Sequence, residues 1–154
     1  MKLWVLPLFG DRKPFLYGES SGGTWSGVFS PDGRWVAYHA LDGGQMQIFV
    51  APFPWTGAKW QVSSTNGTFP RWRADGKEIY FFDFSSISAV EVDGSGAAFR
   101  VGASKPLFQI GMRGLAREYD VSHDGQRFLM ITDNQGSSQS LTVVQNWLAE
   151  VKKR

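Results

Sequence analysis

An all-β fold, specifically a partial β-propeller of about three four-stranded blades, is what the sequence predicts, and three observations predict it. The first is a repeated turn. Val28-Phe29-Ser30-Pro31-Asp32-Gly33-Arg34-Trp35-Val36-Ala37-Tyr38 sets an Asp-Gly pair between two apolar runs, and the pattern returns around Asp75-Gly76 and Asp124-Gly125. Asp-Gly between apolar runs is a strong hairpin signal, because Gly accepts positive φ and the Asp side chain bonds the backbone ahead of it. The second is spacing: the pairs start at 32, 75 and 124, so successive copies lie 43 and 49 residues apart, close to the roughly 40–50 residues of one four-stranded propeller blade. The third is composition. Eighteen Gly, seven Pro and 15% aromatic residues favour many short strands joined by tight turns over long helices.

Each element follows in chain order. Lys2-Leu3-Trp4-Val5-Leu6-Pro7-Leu8 aligns with Gln47-Ile48-Phe49-Val50-Ala51-Pro52-Phe53 at an offset of 45 residues. Both read as a strand ending at a Pro that cannot donate a ladder hydrogen bond. In the second copy this strand follows a hairpin and in the first it does not, so the chain is expected to open at the third strand of a blade, with 13–17 as the short fourth. The next blade takes Gly27–Phe29, Trp35–His39, Met46–Ala51 and Lys59–Ser63. A further blade takes Pro70–Arg73, Lys77–Phe82, Ile87–Val92 and, after a connection over 94–98, a strand near Pro106–Gln109. The last takes Glu118–Ser122, Arg127–Thr132 and Leu141–Asn146. The expected organisation is thus 1–24 as the end of a blade plus linker, 25–67 and 68–114 as blades, and 115–154 as a last, incomplete blade with a tail. Val144, Trp147, Leu148 and Val151 also have helical spacing, but a strand through Trp147 fits the blade better. About three blades are fewer than the roughly four to eight that close a ring, so the chain is expected to be the C-terminal part of a larger propeller.

Composition excludes several function classes. The chain has no Cys, which rules out disulfides and Cys-ligated metal. Its 16 Lys and Arg are scattered among 14 Asp and Glu, unlike the concentrated basic stripe of a nucleic-acid binder. No run approaches the roughly 18 apolar residues of a membrane-spanning helix.

Motifs that carry chemistry elsewhere have structural readings here. Gly18-Glu19-Ser20-Ser21-Gly22 matches the G-x-S-x-G nucleophile pattern, but that pattern needs a strand before the Ser and a helix after it, and Gly23-Thr24-Trp25-Ser26-Gly27 cannot start a helix. Ser122-His123-Asp124 holds triad residue types as neighbours in a turn, where their side chains diverge. His39 and His123 are too far apart for a local metal site, and His39 is expected to be a partly exposed edge or core residue. Asp32, Asp75 and Asp124 could ring an axial ion, yet their fixed place before Gly assigns them to the turns. Asn66-Gly67-Thr68, a formal glycosylation acceptor, is a loop before an inner strand. Arg71-Trp72-Arg73 alternates cation and aromatic as a base-stacking surface does, but it occupies the place of Val28-Phe29-Ser30. Trp72 is expected between blades, with Arg71 and Arg73 as the channel-facing groups for any small anion. No catalytic, cofactor-binding or metal-ligating residue is assigned.

The three repeats, from Phe29 to Tyr38, Pro70 to Tyr80 and Tyr119 to Phe128, resemble the WD-like repeats of TolB-type β-propellers. In particular they resemble the propeller region at the C-terminus of bacterial serine/threonine protein kinases, where phrases similar to Lys59-Trp60-Gln61-Val62-Ser63, Lys105-Pro106-Leu107-Phe108 and Leu141-Thr142-Val143-Val144 recur in this order. The resemblance implies a non-catalytic sensor or interaction platform that binds a protein or small ligand at the axial face, with a periplasmic or extracytoplasmic setting. The kinase motifs themselves are absent from these residues. Two other expectations stand beside this one: a propeller that gates a prolyl-oligopeptidase-type serine peptidase, and a scaffold that closes its ring by self-association.

Overall fold

The computed structural model describes residues 1–18, 23–96, 98–110 and 119–131. Twelve strands and no helix are found among them. They are β1 (Leu3–Val5), β2 (Phe15–Tyr17), β3 (Thr24–Phe29), β4 (Trp35–Asp42), β5 (Gln45–Pro52), β6 (Trp60–Gln61), β7 (Thr68–Trp72), β8 (Glu78–Phe82), β9 (Ser86–Asp93), β10 (Arg100–Gln109), β11 (Tyr119–Val121) and β12 (Phe128–Met130). Strands adjacent in sequence pair antiparallel to give four sheets: β1-β2, β3-β4-β5-β6, β7-β8-β9-β10 and β11-β12.

The repeated turn is built the same way three times. Gly33, Gly76 and Gly125 take φ of 71°, 71° and 69°, and their N–H groups donate to the carbonyls of Ser30, Arg73 and Ser122. Asp32, Asp75 and Asp124 each accept the N–H two residues ahead, at 3.1, 3.0 and 3.0 Å. Ser30 and Ser122 complete their turns with a hydroxyl that donates to the Asp and accepts the N–H of Trp35 or Arg127. In the middle copy Arg73 stands in the serine's place and donates from its guanidinium to Asp75. The Ser30 hydroxyl and then Arg34 hold the Asp32 carboxyl down at about 2. These three aspartates are turn residues, as the sequence predicts.

Strand alternation sends one set of side chains to each face, and both faces of the two central sheets are covered. From β4, Trp35 and Ala37 enter the core shared with the third sheet, while Val36 and Tyr38 enter the core shared with the first. In β5, Ile48 and Val50 follow the former and Phe49 and Ala51 the latter. The third sheet repeats this: Ile79, Phe81, Val90 and Val92 face the second sheet, while Tyr80, Ile87 and Ala89 face Tyr119, Phe128 and Met130 of the fourth. Two-sided burial explains why these strands read as continuous apolar runs, each buried large side chain contributing about 1.5–3 kcal/mol. Among the described residues the two-stranded sheets are covered on one face only, and Trp4 and Leu129 on the other are 61% and 76% exposed.

Several strand boundaries differ from the sequence reading. β3 and β7 begin at Thr24 and Thr68, earlier than expected, because each contains a bulge that interrupts the alternation. β10 is ten residues long and reaches back to Arg100, with register shifts on either side of Ser104–Pro106; as an edge strand it tolerates Pro106, which has no N–H to give. The third strand expected at Leu141–Asn146 and the tail through Val151 lie outside the described residues.

Candidate binding site at the inner strands

The first strands of the two central sheets, β3 and β7, pack on each other, and β7 also packs on β4. Their bulges occupy equivalent places. Ser26 and Phe69 take φ of 51° and 54°, 43 residues apart like the first two turns, and the register shifts fall between Trp25 and Val28 and between Thr68 and Arg71. A bulky residue held at positive φ is strained and persists only when its surroundings fix it. Phe69 is fixed from both neighbouring sheets. Its N–H donates to His39 Nδ1 at 3.3 Å, and its carbonyl accepts the Tyr119 hydroxyl at 2.8 Å.

His39 is 4% exposed, more deeply placed than the sequence suggests. Its ring stacks on Trp25 at 5.8 Å and meets the edge of Phe69 at 5.1 Å. Burial pushes the imidazole down to about 4, which keeps Nδ1 free to accept the Phe69 N–H. The folded pKa lies below the ordinary value of about 6.5, so stability from the neutral ring is complete above that pH and is lost as pH falls towards about 4. The loss reaches about 3 kcal/mol at most. Urea midpoints measured from pH 7 to 4 should fall in this window for the wild type, and His39→Asn, which keeps an acceptor but does not titrate there, should flatten that part of the profile.

Tyr119 is buried, and burial raises its phenol well above the usual range. Over its ring, at 5.5 Å, lies the Arg71 guanidinium, whose Nη1 donates to the Pro70 carbonyl at 2.9 Å. Arg71 is partly buried and forms no ion pair among the described residues. Its remaining N–H groups can receive an acceptor from outside.

Arg73, expected to face the channel beside it, has its guanidinium engaged within the fold. Its Nε and Nη2 donate to Asp75 and its Nη1 to Glu78, each at 2.8 Å. Glu78 is 3% exposed and also accepts the Tyr80 hydroxyl at 2.8 Å. The physical reason is local: a turn carboxylate two residues on and a buried one five residues on claim three of the five guanidinium protons. Trp72 does sit between sheets, with Nε1 donating to the Val28 carbonyl at 3.3 Å and its ring edge-on to Phe99 at 6.2 Å.

The other motifs take the structural places expected where they are described. Ser122-His123-Asp124 is a turn, as expected, but the Ser122 and Asp124 side chains do not diverge: the Ser122 hydroxyl donates to Asp124 and the pair closes the turn. The Gly67 N–H donates to the Met46 carbonyl at 2.7 Å in the loop before β7. Ser20 of the G-x-S-x-G pattern lies outside the described residues. Among the described residues no group of three His, Asp or Glu is arranged to hold a metal, and no helix is long and apolar enough to cross a membrane. Sequence reasoning singles out Arg71 and Arg73 as a pair and does not anticipate Tyr119 beside Arg71, the Tyr119 bond to Phe69, or Glu78, which holds Arg73.

No protein-family model and no curated protein matches the chain. Solved structures do. TolB from Acinetobacter baumannii aligns at 17% identity and a TM-score of 0.51, over 88% of this chain and 44% of TolB. A candidate 6-phosphogluconolactonase from Bacteroides uniformis aligns at 15% identity and a TM-score of 0.51, over 82% of this chain and 39% of its own. The chain therefore spans less than half the length of either. What is shared is the fold: the sheets match part of a TolB-like β-propeller.

Proposed function

We propose that the chain is a non-catalytic segment of a propeller that serves as an interaction platform, holding an anionic group of a protein or small ligand at its inner strands. Arg71 carries the proposal. It is a partly buried cation oriented by the Tyr119 ring and the Pro70 carbonyl, with no carboxylate partner among the described residues. Triad-type residues and repeated aspartates are engaged in turns, which leaves recognition as the chemistry these side chains support. The strained Phe69 bulge, bonded to His39 and Tyr119, links the site to the sheets on either side and suits a sensor that reports occupancy to an attached domain. The repeat resemblance favours a bacterial kinase-linked protein as the parent.

The test is thermal denaturation of the wild type and Arg71→Met against inorganic phosphate, citrate and an acetylated acidic peptide, with lactone and ester hydrolysis assayed in parallel. At least one anion should raise the wild-type midpoint, and Arg71→Met should weaken its binding about tenfold, the loss of one charge-assisted contact. Indifference of both proteins to every anion, or turnover above background, would defeat the proposal.

A further inference from the structure

A second site lies away from Arg71, where the first and second sheets part. The cleft there is about 240 Å³ and is walled by Tyr17, Tyr38, Phe49 and Trp55, with Asp42 and Lys59 in its lining. The walls are held in place. The Tyr17 hydroxyl donates to the Pro52 carbonyl at 2.8 Å, the Tyr17 and Trp55 rings meet edge to face at 5.7 Å, and the Tyr38 and Phe49 rings stack at 5.9 Å. Lys59 extends its ammonium over the Phe49 ring, 4.6 Å from the centroid. Asp42 and Lys59 are exposed, opposite in charge, and in no ion pair among the described residues.

This lining selects a ligand by elimination. A simple cation meets Lys59, a simple anion meets Asp42, and an uncharged apolar molecule uses only the rings. A zwitterion with an apolar body satisfies all three features. The volume is slightly below the roughly 300–1,000 Å³ of ordinary small-molecule pockets, which suits a single amino acid and not an extended peptide. We propose that the cleft binds a free α-amino acid with an aromatic side chain, its carboxylate on Lys59, its ammonium on Asp42 and its ring against the aromatic wall. The site is independent of the anion platform at Arg71, and either can fail without the other.

Three probes share one ring and differ only in charge: L-phenylalanine, phenethylamine, which lacks the carboxylate, and 3-phenylpropionate, which lacks the ammonium. Titration calorimetry on the full chain should show L-phenylalanine binding about tenfold more tightly than either analogue, the worth of one charged contact near the surface. Lys59→Met should abolish the preference over phenethylamine and leave that over 3-phenylpropionate. Asp42→Asn should do the converse. Both substitutions are at exposed positions, so unchanged thermal midpoints serve as the folding control. No saturable binding of L-phenylalanine up to about 10 mM, a limit near 2.7 kcal/mol of binding free energy, overturns the proposal. So does equal binding of all three probes, or a preference that both variants retain.

Discussion

Trp35→Ala is expected to lower the stability of the chain by about 3–5 kcal/mol, the usual loss for a buried Trp truncated to Ala. A large share of a domain's typical 5–15 kcal/mol would go with one side chain. Trp35 is 8% exposed and belongs to the core between the two four-stranded sheets. Its ring lies 4.8 Å from Phe99 and 5.6 Å from Trp60, and its Nε1 donates to the Gly94 carbonyl at 3.3 Å. It therefore joins the second sheet to the connection between β9 and β10 of the third. Equilibrium urea unfolding checks the expectation: the midpoint should drop sharply, and Trp35→Phe should fall between wild type and Ala. Gly94→Ala approaches the same contact from the other side, since a Cβ there would lie 2.5 Å from Trp35 Nε1. It should also destabilise. A loss under about 1 kcal/mol for Trp35→Ala would mean that the two sheets are held together elsewhere.

The sheet order was legible because the turns demand what only certain residues supply. A φ near +70° at three positions calls for Gly, and an acceptor for the N–H two residues on calls for Asp, so the two together mark each hairpin unmistakably. The runs Trp35-Val36-Ala37-Tyr38 and Ile48-Phe49-Val50-Ala51 read equally clearly as strands, since a sheet covered on both faces needs apolar residues at every place. The bulges were not legible. Positive φ at Ser26 and Phe69 leaves no mark in residue type, because neither residue favours it, and at Phe69 the strain is borne by partners, His39 and Tyr119, that lie 30 and 50 residues away.

The candidate site divides in the same way. Arg71 and Arg73 are two residues apart, so alternation alone treats them as equals. What separates them is Glu78, an acidic residue within an otherwise apolar strand, and the repeat itself held the clue: Arg73 stands where Ser30 and Ser122 stand, in the place that bonds the turn aspartate. Tyr119 carried no comparable signal, because an aromatic at the start of a strand is ordinary core material until its hydroxyl is seen to reach the Phe69 carbonyl.

Glu78→Leu is the second large effect expected, about 2–4 kcal/mol, and its cause is polar. Breaking a buried ion pair by removing one member costs about 3–5 kcal/mol because the partner is left without compensation. The range is lowered here because Arg73 keeps Asp75 and is 23% exposed. The Tyr80 hydroxyl, fully buried, loses the carboxylate to which it donates. The effect should also spread to the fourth sheet, since Gly125 rests directly on this network: a Cβ there would lie 2.6 Å from the Tyr80 hydroxyl and 2.8 Å from Arg73 Cδ. Hydrogen exchange of the β11 and β12 amides should therefore quicken in Glu78→Leu more than exchange in β4 and β5. A triple replacement, Glu78→Leu with Arg73→Met and Tyr80→Phe, removes the stranded partners together and should recover most of the loss, as replacing a whole buried polar group by apolar side chains can. If the triple variant is no more stable than the single one, the network contributes net stability, and the carboxylate does more than satisfy the groups around it. If Glu78→Leu itself is near neutral, Asp75 alone holds Arg73, and the packing of Gly125 owes nothing to the buried charge.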